Sequence, residues 1–260
     1  MLDVQNHKIN FIKMNGAGND FVIFDARKSA IFLTSEQIKK ISDRKNIGCD
    51  QVILIKNCND ADCLMEIYNS DGSMSGTCGN ATRCVASLIE KNEIKIKTAA
   101  GILLCKKNGD LISVDMGKPI FEKNITLFGF DFICVDVGNP HAVAFIKEKI
   151  SDEKFFDIGP KIEKHEFFPN QTNVEFAHIL ADDLIEVRVW ERGSGETLSC
   201  GSGACAVAVA AIKSNLIKSK KIITRFKGGD LIIEWNGDSI VMTGGYQKNF
   251  EGTIDEKFLV

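Results

Sequence analysis

The sequence predicts an α+β protein of two pseudo-symmetric lobes, each a set of short strands wrapped around one buried helix. Three observations predict it. Five motifs recur in the same order in the two halves of the chain. In each half a glycine-flanked cysteine leads into an apolar, small-residue segment of helical length, suited to burial on most sides. Around that segment lie short alternating or continuously apolar runs, bounded by turn residues, that read as strands.

The repeat sets the domain organisation. "GAGND" (16–20) resembles "VGNPH" (137–141) and aligns Asn19 with Asn139, 120 residues on. "DQV" (50–52) faces "TNV" (172–174), pairing Gln51 with Asn173 at an offset of 122. "IYNSDGS" lies over "VWERGSG", pairing Asn69 with Glu191, and "CGNATRCVA" over "CGSGACAVA", pairing Cys78 with Cys200, both again at 122. "GILLCKKNGDLI" (101–112) matches "GDLIIEWNGDSI" (229–240) at 128, and both join alternating runs at Asn-Gly, a strong hairpin signal. The drifting offset reads as small loop insertions between two copies of one unit. Gly117 and Pro119 break the pattern within 116–123, so the lobes are expected at 1–118 and 119–260, with the last strand able to return to the first.

Within each copy the elements follow one order. Strands "KINFIKM" and "DFVIFD" open the first, "FICVDVG" and "HAVAFI" the second. "TSEQIKKISDRKN" reads as a helix with a Thr or Ser cap. A strand follows, "DQVILIK" or "LIEVRVW", then the cysteine and a helix at about 79–91 or 201–215, and strands close each copy.

Composition narrows the function. The 260 residues are 44% hydrophobic and carry a net charge of −3, with no basic stripe, which argues against a nucleic-acid partner. The run "KSKK" (218–221) reads as a solvated helix end. Nine cysteines, an odd number, form no dense secreted framework. "MLDVQNHKIN" lacks the apolar core of a signal peptide. The run "ACAVAVAAI" is far short of the roughly 20 residues that cross a bilayer, so no membrane partner is expected. A reducing cytoplasm is the simplest location.

The two cysteines carry the chemistry. Glycines at 193, 195, 201 and 203 allow close backbone approach. A helix beginning at Cys78 or Cys200 aims free N–H groups and a positive dipole end at whatever sits there. Such a place should acidify a thiol, whose ordinary pKa is about 8.5. If the lobes meet at a cleft, two helix N-termini make a strong anion site for an amino acid's carboxylate. Gly79, Asn80, Gly201 and Ser202 line it. One thiolate then takes the α-proton while the opposed thiol returns a proton to the other face, and the converging N–H groups stabilise the enediolate.

Rival readings remain beside this one. Cysteine spacings in "CGNATRC" and "CGSGAC" are loose for zinc, and Cys84 and Cys205 fall inside the helices, where packing explains them. A Cys–His hydrolase using His141 leaves the repeated second cysteine unexplained. A Cys78–Cys200 redox pair could form as an oxidation side reaction. No lysine stands in a Schiff-base context, and "GAGND" lacks the full dinucleotide fingerprint, so no cofactor is expected. Asn19, Asn139, Gln51 and Asn173 suit turns, yet their matched places point to ligand binding. Glu191 and Arg192 offer an acid for an ammonium and a fork for a second carboxylate.

"KMNGAGNDF", "CDQ", "YNSDGS", "CGNATRC", "VGNPHAV", "TNVEF" and "ERGSGETLSCGSGACA", in that order, resemble the diaminopimelate epimerase family from about residue 8 onward. Proline racemases share the two-cysteine logic but differ in these flanking motifs. The resemblance implies two lobes, each a strand barrel around a central helix, with the site between them. It implies interconversion of LL- and meso-2,6-diaminopimelate without pyridoxal phosphate or metal, for lysine and peptidoglycan precursors. It places the catalytic cysteines on Cys78 and Cys200, and activity-supporting roles on His141 and Glu191. Its carboxylate contacts fall on Gly79, Asn80, Gly201 and Ser202, and its other substrate contacts on Asn19, Gln51, Asn69, Asn139, Asn173, Glu191 and Arg192. It also implies a homodimer. The chain departs from the family at Ala81, where many members carry glycine.

Overall fold

A computed structural model describes residues 8–259. Residues 1–7, on which the reading of the N-terminus largely rests, lie outside the described residues. The chain forms two compact units, one of residues 8–112 and 246–259, the other Ser113–Gly245.

The first unit begins with β1 (Lys8–Gly16), β2 (Asn19–Asp25), α1 (Ser35–Ser42), β3 (Gln51–Lys56), β4 (Cys63–Asn69) and β5 (Met74–Ser75). It continues through α2 (Gly79–Ser87), β6 (Glu93–Thr98), β7 (Gly101–Asn108) and β8 (Leu111–Asp115), which contains the boundary. The second holds β9 (Ile120–Phe121), β10 (Ile125–Leu127), β11 (Phe130–Asp136), β12 (Pro140–Phe145), α3 (Asp152–Glu163) and β13 (Asn173–Ala181). Then come β14 (Leu184–Glu191), β15 (Gly195–Glu196), α4 (Gly201–Lys213), β16 (Lys221–Phe226), β17 (Gly229–Trp235) and β18 (Ile240–Gly244). Finally β19 (Gln247–Asp255) rejoins the first unit.

Both units use one plan. In the first, β19, β1, β2, β3, β4, β6 and β7 pair in that order, with β2–β3 and β4–β6 parallel and the rest antiparallel. In the second, β10, β11, β12, β13, β14, β16, β17 and β18 pair in order, with β12–β13 and β14–β16 parallel. The repeat in the sequence is therefore a repeat of topology: the run from β19 to β7 matches the run from β10 to β17 in order and in sense.

The parallel pairs are covered on both faces, which is why "DFVIFD" and "QVILIK" are apolar without alternation. One face of β2 and β3, with Val22, Phe24, Val52 and Leu54, packs on Ile38 and Ile41 of α1. In the second unit Ala142, Ala144, Val174 and Phe176 pack on Phe155, Ile158 and Ile162 of α3. The opposite faces look to the central helices. α4 packs against β11, β12, β13, β14, β16, β17 and β18, so the sheet curls around it. Only small side chains let strands approach one helix from so many sides, and Gly203 to Ala211 are all buried.

The helices end earlier than their sequence pattern suggests. α1 has Thr34 as N-cap with a complete capping box, but stops at Ser42, because Asp43 is extended and Asn46 Nδ2 takes the carbonyl of Lys40. α2 stops at Ser87, where Lys107 Nζ draws off the carbonyls of Ser87 and Ile89. α4 stops at Lys213. Asn215 turns left-handed (φ 55°) and Leu216 N–H returns to the carbonyl of Ala211. The last lysine of "KSKK", Lys221, opens β16 instead of ending a helix. Among the described residues, no helix is long and apolar enough to cross a membrane.

Candidate active site

The topology gathers the singled-out residues at one end of each sheet. In the first unit Asn19 opens β2, Gln51 opens β3 and Asn69 ends β4. Because β3 and β4 are antiparallel, Gln51 lies opposite Asn69, and its Nε2 donates to Asn69 Oδ1 at 2.9 Å. Gln51 Oε1 is buried with no partner. Cys78 is the N-cap of α2, its sulfur accepting from Ala81 N–H at 3.5 Å. The thiol donates to Asn19 Oδ1 at 3.7 Å, and Asn80 Nδ2 reaches the same oxygen at 3.5 Å.

The sequence reading missed what aims these groups. Asn19 Nδ2 donates to Asp50 Oδ2 at 2.8 Å. An ionised carboxylate only accepts, so Asp50 decides which end of the Asn19 amide faces Cys78. Asp50 is tied by Arg44 at 2.6 Å, and Arg44 bridges on to Asp20, which also pairs with Lys13. Burial opposes ionisation of Asp20. The hydrogen bonds from Arg44 and Lys13 overcome it and hold the carboxyl far below the usual range. Arg83, wholly buried in α2, donates to Asn80 Oδ1 at 2.9 Å and so turns the Asn80 amide toward Asn19.

The second unit repeats the scaffold with other chemistry. Asn139 precedes β12, Asn173 opens β13 and Glu191 ends β14. Asn173 Nδ2 donates to the carbonyl of Pro140 at 2.9 Å, while its Oδ1 accepts from Arg192 N–H at 3.0 Å. The Arg192 guanidinium donates to the carbonyl of Asn170 at 3.1 Å. Cys200 is the N-cap of α4. Its sulfur accepts from Gly203 N–H at 3.4 Å and lies 3.4 Å from Ser202 Oγ. Glu191 accepts from Thr197 Oγ1. His141 is buried, with Nδ1 2.6 Å from Glu175 Oε1 and Nε2 3.0 Å from Asn139 Oδ1.

The expected acidification of Cys200 is reversed. Burial pushes its thiol well above the ordinary value, and the nearby carboxylates of Glu191 and Glu175 push it further. The hydrogen bonds from Ser202 and Gly203 N–H are too weak to offset them. Burial likewise raises the Glu191 carboxyl, against the pull of Thr197 and Cys200. Helix-end stabilisation of an anion is worth about 0.3–2 kcal/mol. Full desolvation of a thiolate among acids exceeds it. Glu175, absent from the sequence expectations, carries one signal there: it is the lone acid in the apolar run "NVEFA".

The rival chemistries find less here. Both ring nitrogens of His141 are taken by Glu175 and Asn139, so neither is shown on a thiol as a Cys–His hydrolase asks. Among the described residues, no three His, Cys, Asp or Glu side chains are grouped to hold a metal ion.

Comparison with known proteins adds the family. Residues 11–122 and 133–249 match the family described as diaminopimelate epimerase. A relative from Methanococcus maripaludis strain C5, named diaminopimelate epimerase, is 41% identical over 95% of this chain and 100% of its own length. One of the same name from Rhodospirillum centenum is 42% identical over 96% of this chain and 93% of its own. Among solved structures, a phenazine biosynthesis protein of the PhzF family from Bacillus anthracis superposes with a TM-score of 0.71 at 17% identity, covering 95% of this chain and 99% of that one. A hydroxyproline epimerase from Agrobacterium vitis, with bound trans-4-hydroxy-L-proline, gives 0.71 at 13% identity, covering 95% and 92%. At such identities these two likenesses concern the fold alone: two-lobed α+β, as the repeat predicts.

Proposed function

This chain belongs to the diaminopimelate epimerase family and is an epimerase, and from that premise we propose that it interconverts LL- and meso-2,6-diaminopimelate by two-base proton transfer between Cys78 and Cys200. One observation carries the reading. Each unit caps a central helix with a cysteine whose sulfur already meets a first-turn N–H, at 3.5 Å for Cys78 and 3.4 Å for Cys200.

The α-carboxylate binds at the first-turn N–H groups of the two helix starts, Gly79–Asn80 and Gly201–Ser202. Cys200, kept as a thiol by burial and its acidic neighbours, is the proton donor in the first turnover. Cys78 is the base. Its thiolate forms an S–H bond as the α-C–H bond breaks, and the electron pair moves into the carboxylate as an enediolate. Cys200 then gives its proton to the opposite face of the same carbon and becomes the thiolate. Reversal of the reaction exchanges the roles. The helix N–H groups stabilise charge where it develops. Asn139, Asn173, Glu191 and Arg192, with Asn19, Gln51 and Asn69, hold the substrate's two amino-acid heads. A polar site built for both heads rejects lysine and proline. His141 and Glu191 support the cysteines. No cofactor or metal enters these steps. The enzyme acts in the cytoplasm as a homodimer, supplying lysine and peptidoglycan precursors.

The test is epimerisation of LL-diaminopimelate in deuterated water, followed by NMR. Two bases predict that early meso product carries one α-deuterium while unreacted LL substrate stays unlabelled. Cys78→Ala and Cys200→Ala should each lose at least about 10³-fold in turnover with the fold intact. Near-normal turnover by either variant defeats the two-base scheme. Proline exchanging as fast as diaminopimelate defeats the substrate assignment.

A further inference from the structure

The two units carry an internal control. In the first, Phe21 pairs with Gln51, and Ile23 with Ile53. In the second, His141 pairs with Asn173, and Val143 with Glu175. Register thus makes Phe21 the counterpart of His141, and Ile53 that of Glu175. Ala81 and Gly203 are counterparts too, each third after its capping cysteine. All three places in the first unit are apolar and buried, at 0% exposure. The scaffold therefore closes around its central helix with Phe, Ile and Ala. The second unit puts His, Glu and Gly there, equally buried.

The three residues of the second unit belong together. Glu175 Oε1 lies 2.6 Å from His141 Nδ1, and both side chains are wholly buried. A methyl group at 203 would come within 2.7 Å of that same oxygen, so the carboxylate lies where only glycine leaves room. Glu175 Oε2 is buried and has no partner. A fold seeking stability alone has an apolar solution at hand and uses it in the other unit.

We infer that Glu175 is a positioning residue for the proposed reaction: it accepts the hydrogen bond of His141 Nδ1–H and thereby holds the ring with Nε2 beside Asn139 Oδ1. This rests on the function proposed above, in which His141 and Asn139 serve the site. A carboxylate accepts, so in this pairing His141 donates through Nδ1. That sets the orientation of the ring and its angle about χ2, as carboxylate partners do for working imidazoles elsewhere. The other titratable groups in the cluster are Glu191 at the end of β14 and Cys200 at the head of α4. Glu175 also acts on Cys200, whose thiol it helps to keep protonated.

The test uses full-length Glu175→Gln, which keeps shape and removes the charge. Long-range ¹H–¹⁵N spectra of histidine-labelled protein should show a strongly hydrogen-bonded Nδ1 proton of His141 in the parent, weakened in the variant. Turnover should fall on the order of ten- to a hundredfold with KM little changed. The alkaline limb of kcat should move to lower pH, because one charge that raises the Cys200 thiol is gone. The triple variant His141→Phe, Glu175→Ile, Gly203→Ala copies the first unit. It should fold with a Tm at or above the parent's and lack turnover. An unchanged Nδ1 signal, or a lower Tm with turnover per folded molecule and pH limb unchanged, overturns the inference. Failure of the parent itself to exchange the α-proton of diaminopimelate tells against the proposed function instead, and leaves the His141 spectra to decide the role of Glu175.

Discussion

Replacing Gly203 by alanine should destabilise the second unit and slow the enzyme, and the geometry gives the size. The new methyl would sit 2.7 Å from Glu175 Oε1, 3.2 Å from Cys200 Cβ and 3.4 Å from Cys200 Sγ. The oxygen contact is about half an ångström too short. Glu175 Oε1 cannot retreat toward His141, whose Nδ1 is already at 2.6 Å. Either that hydrogen bond opens or the first turn of α4 shifts and takes the Cys200 sulfur with it. Overpacking of this kind costs about 1–3 kcal/mol. Alanine's better helix propensity returns at most about 1 kcal/mol. A net loss of about 1–2 kcal/mol is expected, read as a lower urea midpoint at constant m-value. Adding Glu175→Ile removes the clashing oxygen, so the double variant should be more stable than the summed single effects by roughly 1–2 kcal/mol. The reasoning is refuted if Gly203→Ala keeps full turnover and stability, or if its loss is the same with Glu175 and with isoleucine.

Three further outcomes are expected. Asp20→Asn leaves the buried Lys13 ammonium without its carboxylate and should cost about 2–3 kcal/mol in urea melts at pH 7. Because the Asp20 carboxyl is depressed, the parent's advantage is full above the ordinary carboxylate range, only partly retained at pH 3, and lost progressively as pH falls on toward the lower native value. Cys200, 5% exposed and with its thiol raised by burial, Glu191 and Glu175, should alkylate far more slowly at pH 7.5 than a free thiol; Glu191→Gln should speed it, measured by mass spectrometry of iodoacetamide-treated protein. Thr34→Ala removes the capping box of α1 and should lower stability by about 1 kcal/mol without altering turnover.

Much of this architecture can be read from the residues because it depends on pattern. The matched motifs report equal topology, and the small apolar run at 201–213 reports a helix enclosed by strands. Asn19, Gln51, Asn69, Asn139, Asn173 and Glu191 can be found because the repeat puts counterparts at the same strand ends. What stays hidden is side-chain partnership across strands. Asp50 and Glu175 act on neighbours 31 and 34 residues away, and no local spacing encodes that. The raised thiol of Cys200 stays hidden for a related reason. A helix start is visible in sequence, whereas the crowd of acids around it arrives from two other strands. Helix ends read too long in the sequence because Lys107 and Asn46 divert carbonyls by contacts outside the helical period.

The return of β19 to β1 has a consequence for biosynthesis. Lys8 pairs with Asp255, so one ladder joins nearly the whole length of the chain. The second unit is continuous and can close as soon as residue 245 has been made. The first must hold an open sheet edge while roughly 130 residues are translated, on the order of ten seconds. A circular permutant that starts at β19 and links it directly to β1 would let both units fold in the order they are synthesised.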